Sequence, residues 1–294
     1  MPKKIGDLDA QILTAAARFR DLVYLAVTDD QFVKKDKLHS FFVSNDGGKW
    51  FENGRTTWKC VGMTIIKIPE EKMVAISEDG DVFTYVGGKS ATETIEPRPA
   101  VLRGVTTLDG KAMAFGMRRQ VYRRDGEGRW KPMHAPDIKE GEAAGFEALC
   151  GFSLSDVYAA GWEGEIWHYD GRRWRNEDSP VNVILTGATT HDDGKVYICG
   201  QNGTLLCGRK GEWEIVADGD TVDDFWSIIS FKKKIYVVSF AALYVLKRGH
   251  LEIVDPGNIS IDTYQGLTEA EGVLWSAGAE DIATFDGINW TKVW

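Results

Sequence analysis

Seven mutually alignable segments run from one end of the chain to the other: LVYLAV (22–27), KMVAIS (72–77), KAMAFG (111–116), DVYAAG (156–161), KVYICG (195–200), KIYVVS (234–239) and VLWSAG (273–278). Their third residues, Tyr24, Val74, Met113, Tyr158, Tyr197, Tyr236 and Trp275, lie 50, 39, 45, 39, 39 and 39 residues apart. Self-similarity at a period of ~40 residues constrains a fold more tightly than composition does. Each repeat is one supersecondary unit that cannot bury its apolar surface alone and must stack on its neighbours.

Each copy has the same surroundings. A run rich in small residues precedes it, as in WKCVGMTII, AVLRGVTTL, FEALCGFSL and NVILTGATT. A glycine or acidic turn and an alternating strand follow, as in GEIWHYDG and GTLLCGRKG, and then a fourth short strand, often opening on tryptophan: Trp50, Trp130, Trp174, Trp213 and Trp290. The period-two alternation marks strands rather than helices. Four strands per repeat define a propeller blade, so the expected fold is all-β: a seven-bladed β-propeller with four antiparallel strands per blade, occupying residues 1–294 as one domain. The two weakly helical windows, QILTAAARF and KEGEAAGFEAL, read as a strand and a connection.

The ring accounts for an unusual composition. Of 294 residues, 32 are glycine and 11 tryptophan but only 8 proline, a turn-rich rather than a disordered profile. Gly62, Gly104, Gly151, Gly187 and Gly266 fall on the innermost strands, where they are expected to let neighbouring backbones approach. The five strand-opening tryptophans are expected to cover the seams between blades. Cys60, Cys150, Cys199 and Cys207 lie in apolar runs without a C-x-x-C pair and read as buried thiols.

The runs DVYAAGWEGEIWHYDGRRW and KVYICGQNGTLLCGRKGEW resemble the bacterial BNR-, YVTN- and WD40-like propeller repeats, whose units carry a V-x-A-V-G-x-x-G-x-I-x-H-Y-D-G-x-x-W pattern. Ser44-Asn45-Asp46-Gly47-Gly48-Lys49-Trp50 resembles the Asp-box turn of sialidase-like propellers, shortened by one residue before the tryptophan. The resemblance implies the fold; propellers of this kind include enzymes, assembly factors and binding modules, so function must be argued from a site.

Catalytic patterns are sparse. The chain has no G-x-S-x-G elbow, H-E-x-x-H helix or complete P-loop. Gly87-Gly88-Lys89-Ser90 ends like a P-loop, but Phe83 stands where the first glycine belongs. His39, His134, His168, His191 and His250 are scattered over different repeats, and the Asp218 to Asp224 run lacks the ordered spacing of a calcium loop. No cofactor or metal is expected, and the protein is read as non-enzymatic.

Charge is the informative feature. In a four-stranded blade with strands a to d from the axis outward, the b–c and d–a connections emerge on one face, here the upper, and the a–b and c–d connections on the other. The loops predicted on the upper face carry about 22 acidic and 8 basic residues, against about 15 and 16 below. The upper acids include Asp29, Asp30, Glu78, Asp79, Asp81, Glu163, Glu177, Asp178, Asp220, Asp223, Asp224, Glu280 and Asp281. Trp58, Trp162, Phe225, Trp226, Phe240 and Tyr264 are expected among them. Aromatic anchors within a charged rim are the anatomy of a protein-binding surface. The partner-binding set is read as Asp29, Asp30, Glu78, Asp79, Trp162, Glu163, Asp220, Asp223, Asp224, Trp226, Phe240, Glu280 and Asp281. Two long loops, TDDQFVKKDKLH and KPMHAPDIKEGEAAG, are expected on the same face, and connections longer than ~12 residues in compact domains are commonly functional.

The formal net charge of −9 disfavours direct nucleic-acid binding, because phosphates need basic surface. No apolar run is long enough for a membrane helix and the first residues lack a signal-peptide core, so a cytoplasmic protein, monomeric on its own and without membrane contact, is expected. The expected partner is a basic protein. A concrete form is a toxin such as a nuclease, neutralised by occlusion as a bacterial immunity protein would do it. A sialidase-like glycan hydrolase or lectin, and an assembly scaffold, are the alternatives.

Overall fold

The computed structural model describes residues 10–138 and 143–294. Its 28 strands form seven four-stranded antiparallel sheets, each built from strands consecutive in sequence. The blades span residues 10–56, 60–94, 102–132, 146–177, 185–215, 227–253 and 266–292. The fold is the expected seven-bladed propeller.

The repeated segments are the second strands, and their burial explains why they read as continuous apolar runs. Lys72–Ser77, Lys111–Gly116 and Asp156–Gly161 are each buried at every position after the first. A strand covered on both faces has no polar side to alternate with. The outermost strands, covered on one side, alternate or lie open, as in Glu212–Ile215.

Seven apolar clusters hold the ring, one at each seam. Closure needs no exchanged strand. Ile12, Val23, Leu25 and Val27 of blade 1 pack with Val273, Trp275 and Ile282 of blade 7, and the Ile12 N–H donates to the Ala279 carbonyl at 2.9 Å. The five fourth-strand tryptophans all turn toward the preceding blade. Trp50 packs in the cluster shared with blade 7 and Trp290 in that shared with blade 6. The indole N–H of Trp130 donates to Glu93 at 3.4 Å, that of Trp174 to the Met133 carbonyl at 2.7 Å and that of Trp213 to Glu177 at 2.7 Å.

The inner-strand glycines are less uniform than expected. A Cβ on Gly62 would meet the Val105 amide nitrogen at 2.8 Å and the Gly104 Cα at 3.1 Å, so there the next blade's backbone does require glycine. Gly187 likewise borders Ile228 of the next blade, but Gly104 and Gly151 are crowded chiefly by Phe115 and by Asp156 and Val157 of their own blades. Gly266 has no neighbour closer than 4.0 Å. Close approach across the axis therefore explains only part of the pattern.

Of the two helical-looking windows, the first is strand Ala10–Phe19. The second, like the long connection between blades 3 and 4, includes residues 139–142, outside those described. The long blade-1 loop carries a single helical turn, Asp30–Val33, whose N-cap Asp29 accepts from the Gln31 N–H at 2.7 Å. The Asp-box-like segment makes the turn between the third and fourth strands of blade 1, where the Asn45 side chain accepts from Gly48 N–H at 3.1 Å.

Candidate partner-binding face

The strand order places the b–c and d–a connections on one face of every blade. Among the described residues, the connections of this upper face carry 17 acidic and 7 basic side chains, and those of the lower face 10 and 9. The sign difference between faces is a property of the fold.

The basic residues sharpen it. Arg98 pairs with Asp81 at 2.9 Å, Arg118 with Asp137 at 2.6 Å and Arg119 with Glu165 at 2.7 Å. The remaining four, Lys34, Lys35, Lys37 and Lys59, belong to blade 1 or the connection leaving it. From blade 2 round to blade 7 the open charge is therefore negative. Glu78, Asp79, Glu163 and Glu280 are exposed and form no ion pair among the described residues. Glu163 stands on a tight turn with φ +57°, next to Gly164, which projects it from blade 4.

The connection from blade 5 to blade 6 supplies the densest part. Asp224 is exposed and accepts from the Asn202 N–H at 2.9 Å, while Asp223 accepts from the Tyr244 hydroxyl at 2.8 Å. Asp220 accepts from the Leu251 N–H at 2.6 Å and from His250 at 3.2 Å. These two contacts, the backbone one first, hold its carboxyl below the ordinary range. Together these contacts fix the three carboxylates in direction. Val222, Trp226 and Phe240 rise beside them, 84, 49 and 57% exposed. Trp226 opens the inner strand of blade 6 and donates its N–H to Val238 at 2.9 Å; the Phe240 carbonyl accepts from Tyr264 N–H at 3.0 Å. Both side chains are thus carried on bonded backbone rather than on free loop.

Several expected members serve the fold instead. Phe225 and Tyr264 are buried at 0 and 3% exposure and belong to seam clusters. Asp281 is 2% exposed. Its carboxylate takes the Asp262 and Thr263 N–H groups at 2.9 and 3.0 Å and the Lys292 ammonium at 2.8 Å. Burial pushes this carboxyl up, but Lys292 and the two N–H groups prevail and hold it below the ordinary range. Asp281 therefore clamps the blade 6 to blade 7 connection and offers no charge to a partner. Glu177 is likewise spent on Trp213. Asp29 caps its helical turn, and Trp162, half-buried, donates to Glu147 at 2.7 Å. Sequence reading missed Val222, one apolar residue in an acidic run, and Phe32, Val33 and Leu38 of the blade-1 loop, which carry no periodic signal.

Other reactive groups are withdrawn from the face. All four cysteines are free, and burial holds the Cys60 and Cys199 thiols up at about 12. His191 and Ser230 meet at 2.8 Å, but at the lower ends of their strands. Among the described residues, no three His, Cys, Asp or Glu side chains converge as a metal site would require.

Fold and face together define a seven-bladed propeller with one strongly acidic, aromatic-studded side. Solved propellers agree on the fold alone. The chain superposes on YCF48 bound to D1 peptide with a TM-score of 0.69 at 12% identity, covering 94% of this chain and 92% of that one. It matches the WD40 propeller domain of Doa1 with the same TM-score and coverage at 10% identity. No protein-family model matches. Among curated proteins, immune protein Tsi7 of Pseudomonas aeruginosa is 39% identical over 306 aligned positions, spanning the whole of both chains. The chain belongs to the Tsi7 immune-protein family.

Proposed function

We propose that the chain is an immunity protein whose acidic upper face captures a basic protein toxin and covers the surface by which the toxin engages its substrate. End-to-end likeness to an immune protein supports the class. The observation that carries the reading is the split of charge between faces, 17 acidic to 7 basic above and 10 to 9 below, with Trp226 and Phe240 standing among the acids. A nuclease is the concrete case, since a groove that neutralises phosphates must be basic and an array of fixed carboxylates can compete for it. The reading places the protein in the cytoplasm, where such a toxin meets nucleic acid.

The test is to purify the partner by affinity from the native host and assay its activity against increasing amounts of the chain. Activity that falls to zero near one equivalent supports occlusion. Full activity in the saturated complex contradicts it and leaves an assembly role.

A further inference from the structure

The strongest break in the repeat lies in blade 1, where the 50-residue spacing exceeds the 39 of most blades. The loop that causes it is tied down at both ends. His39, 6% exposed, accepts the Asp29 N–H on Nε2 at 2.7 Å and donates from Nδ1 to the Lys37 carbonyl at 2.7 Å. Its ring lies 4.9 Å from that of Phe32, which meets Phe41 at 6.0 Å. This framework holds Phe32, Val33 and Leu38 outward at 38, 54 and 67% exposure. Beneath it opens a cleft of about 560 Å³ with Phe32, Leu38, Phe41 and Trp58 as apolar walls and Lys37 and Arg55 at its rim.

The balance of charge here is opposite to the rest of the face, five cations standing against Asp29, Asp30 and Asp36. Lys34, Lys35, Lys37, Arg55 and Lys59 are exposed and form no ion pair among the described residues, whereas each arginine in the other upper connections is paired. Apolar walls with open cations at the rim complement apolar side chains flanked by carboxylates, and repel the basic surface that suits blades 2 to 7.

We propose that this cleft is a second docking site on the upper face, taking from the partner protein a short segment whose apolar side chains are flanked by acidic ones. The inference rests on the reading of the upper face as a protein-binding surface and adds orientation to it. A partner with a basic patch and an acidic, apolar protrusion can sit on a bipolar face in only one sense, because the reversed pose sets like charges against each other.

A labelled short peptide alternating Leu and Phe with Glu serves as the probe, titrated by fluorescence anisotropy into the full chain. Controls replace its Glu by Lys, or its Leu and Phe by Ser. The acidic, apolar peptide is expected to bind saturably. Binding should weaken by about tenfold or more in Phe32→Ser/Leu38→Ser and in Lys37→Glu/Arg55→Glu, and hold in Glu163→Lys/Asp224→Lys. All these positions are exposed, and equal thermal midpoints verify that the variants fold. Absence of saturable binding, survival of binding in both blade-1 variants, or equal binding of the Lys peptide would overturn the proposal. Failure of the acidic-face reading registers separately, as unaltered affinity of the purified partner for Glu163→Lys/Asp224→Lys.

Discussion

The seams between blades and the upper face use the same residue types to opposite ends. At the seams, carboxylates and aromatics consume each other. Glu93 and Arg124, with side chains 2 and 1% exposed, form a bidentate pair at 2.5 and 3.1 Å between blades 2 and 3, and Trp130 donates to the same carboxylate. Asp156 of blade 4 holds Arg209 of blade 5 at 2.5 Å and its own blade's His168 at 2.9 Å. On the upper face Glu78, Glu163 and Glu280 are left open, and Trp226 and Phe240 have 49 and 57% of their surface in water. What separates structural acid from functional acid is thus the availability of a partner within the chain. A buried ion pair contributes little net stability but is costly to break, whereas an unpaired surface charge contributes nothing to folding and is free to steer association.

That contrast predicts two separable classes of variant. Arg124→Met strands the Glu93 carboxylate inside a seam and is expected to cost about 3–5 kcal/mol of stability. Chemical denaturation would show the loss, while partner affinity at temperatures where the variant is folded stays at the wild-type value. Trp226→Ala should do the reverse, weakening the partner complex by about 2 kcal/mol as a central aromatic anchor does, with an unchanged unfolding midpoint. Calorimetric titration beside thermal melts checks both halves, and a Trp226→Ala protein that melts early would move this residue from the face to the fold.

The smallest effect concerns Asp281, which sits on the face yet behaves as a seam residue. Its carboxyl is held below the ordinary range in the folded chain, so folding disfavours its protonation. The stability it contributes is complete above the ordinary carboxylate range and fades as pH falls through the depressed value. Asp281→Asn is expected to lose about 1 kcal/mol at neutral pH and to flatten the acid limb of the stability profile, leaving partner affinity intact. A profile identical to wild type would remove the clamp assignment.

The ring was legible because its determinants repeat. Seven copies of a buried second strand, and tryptophans at one position of the fourth, encode the same contact over and over, and the seams use them in that way. The face was legible only as a sum of charges. Phe225 and Trp226 are adjacent, yet one is buried and the other half exposed, because successive residues entering a strand point to opposite sides and the sequence does not print which side is covered. Asp281 could not be told from Glu280 beside it, since its ligands, Asp262, Thr263 and Lys292, come from a preceding connection and a following strand. Glu93 recurs as Glu177 at the same register position of blade 4, each accepting from the next blade's tryptophan, but Arg124 has no counterpart in other blades, so no period announces the ion pair. The blade-1 loop was visible as an insertion, but its apolar shelf follows from how His39 ties its ends.

The central claim, that the open acids of the upper face steer a basic partner, is tested most directly by association kinetics. Stopped-flow on-rates of the purified partner would be measured for wild type and Glu163→Lys/Asp224→Lys at ~50 and ~500 mM salt, a change that shortens the Debye length from about 14 to about 4 Å. The wild-type on-rate is predicted to fall by roughly tenfold or more as salt rises, and the reversed variant to be slow and nearly salt-independent. Equal on-rates for the two proteins at low salt would contradict the account.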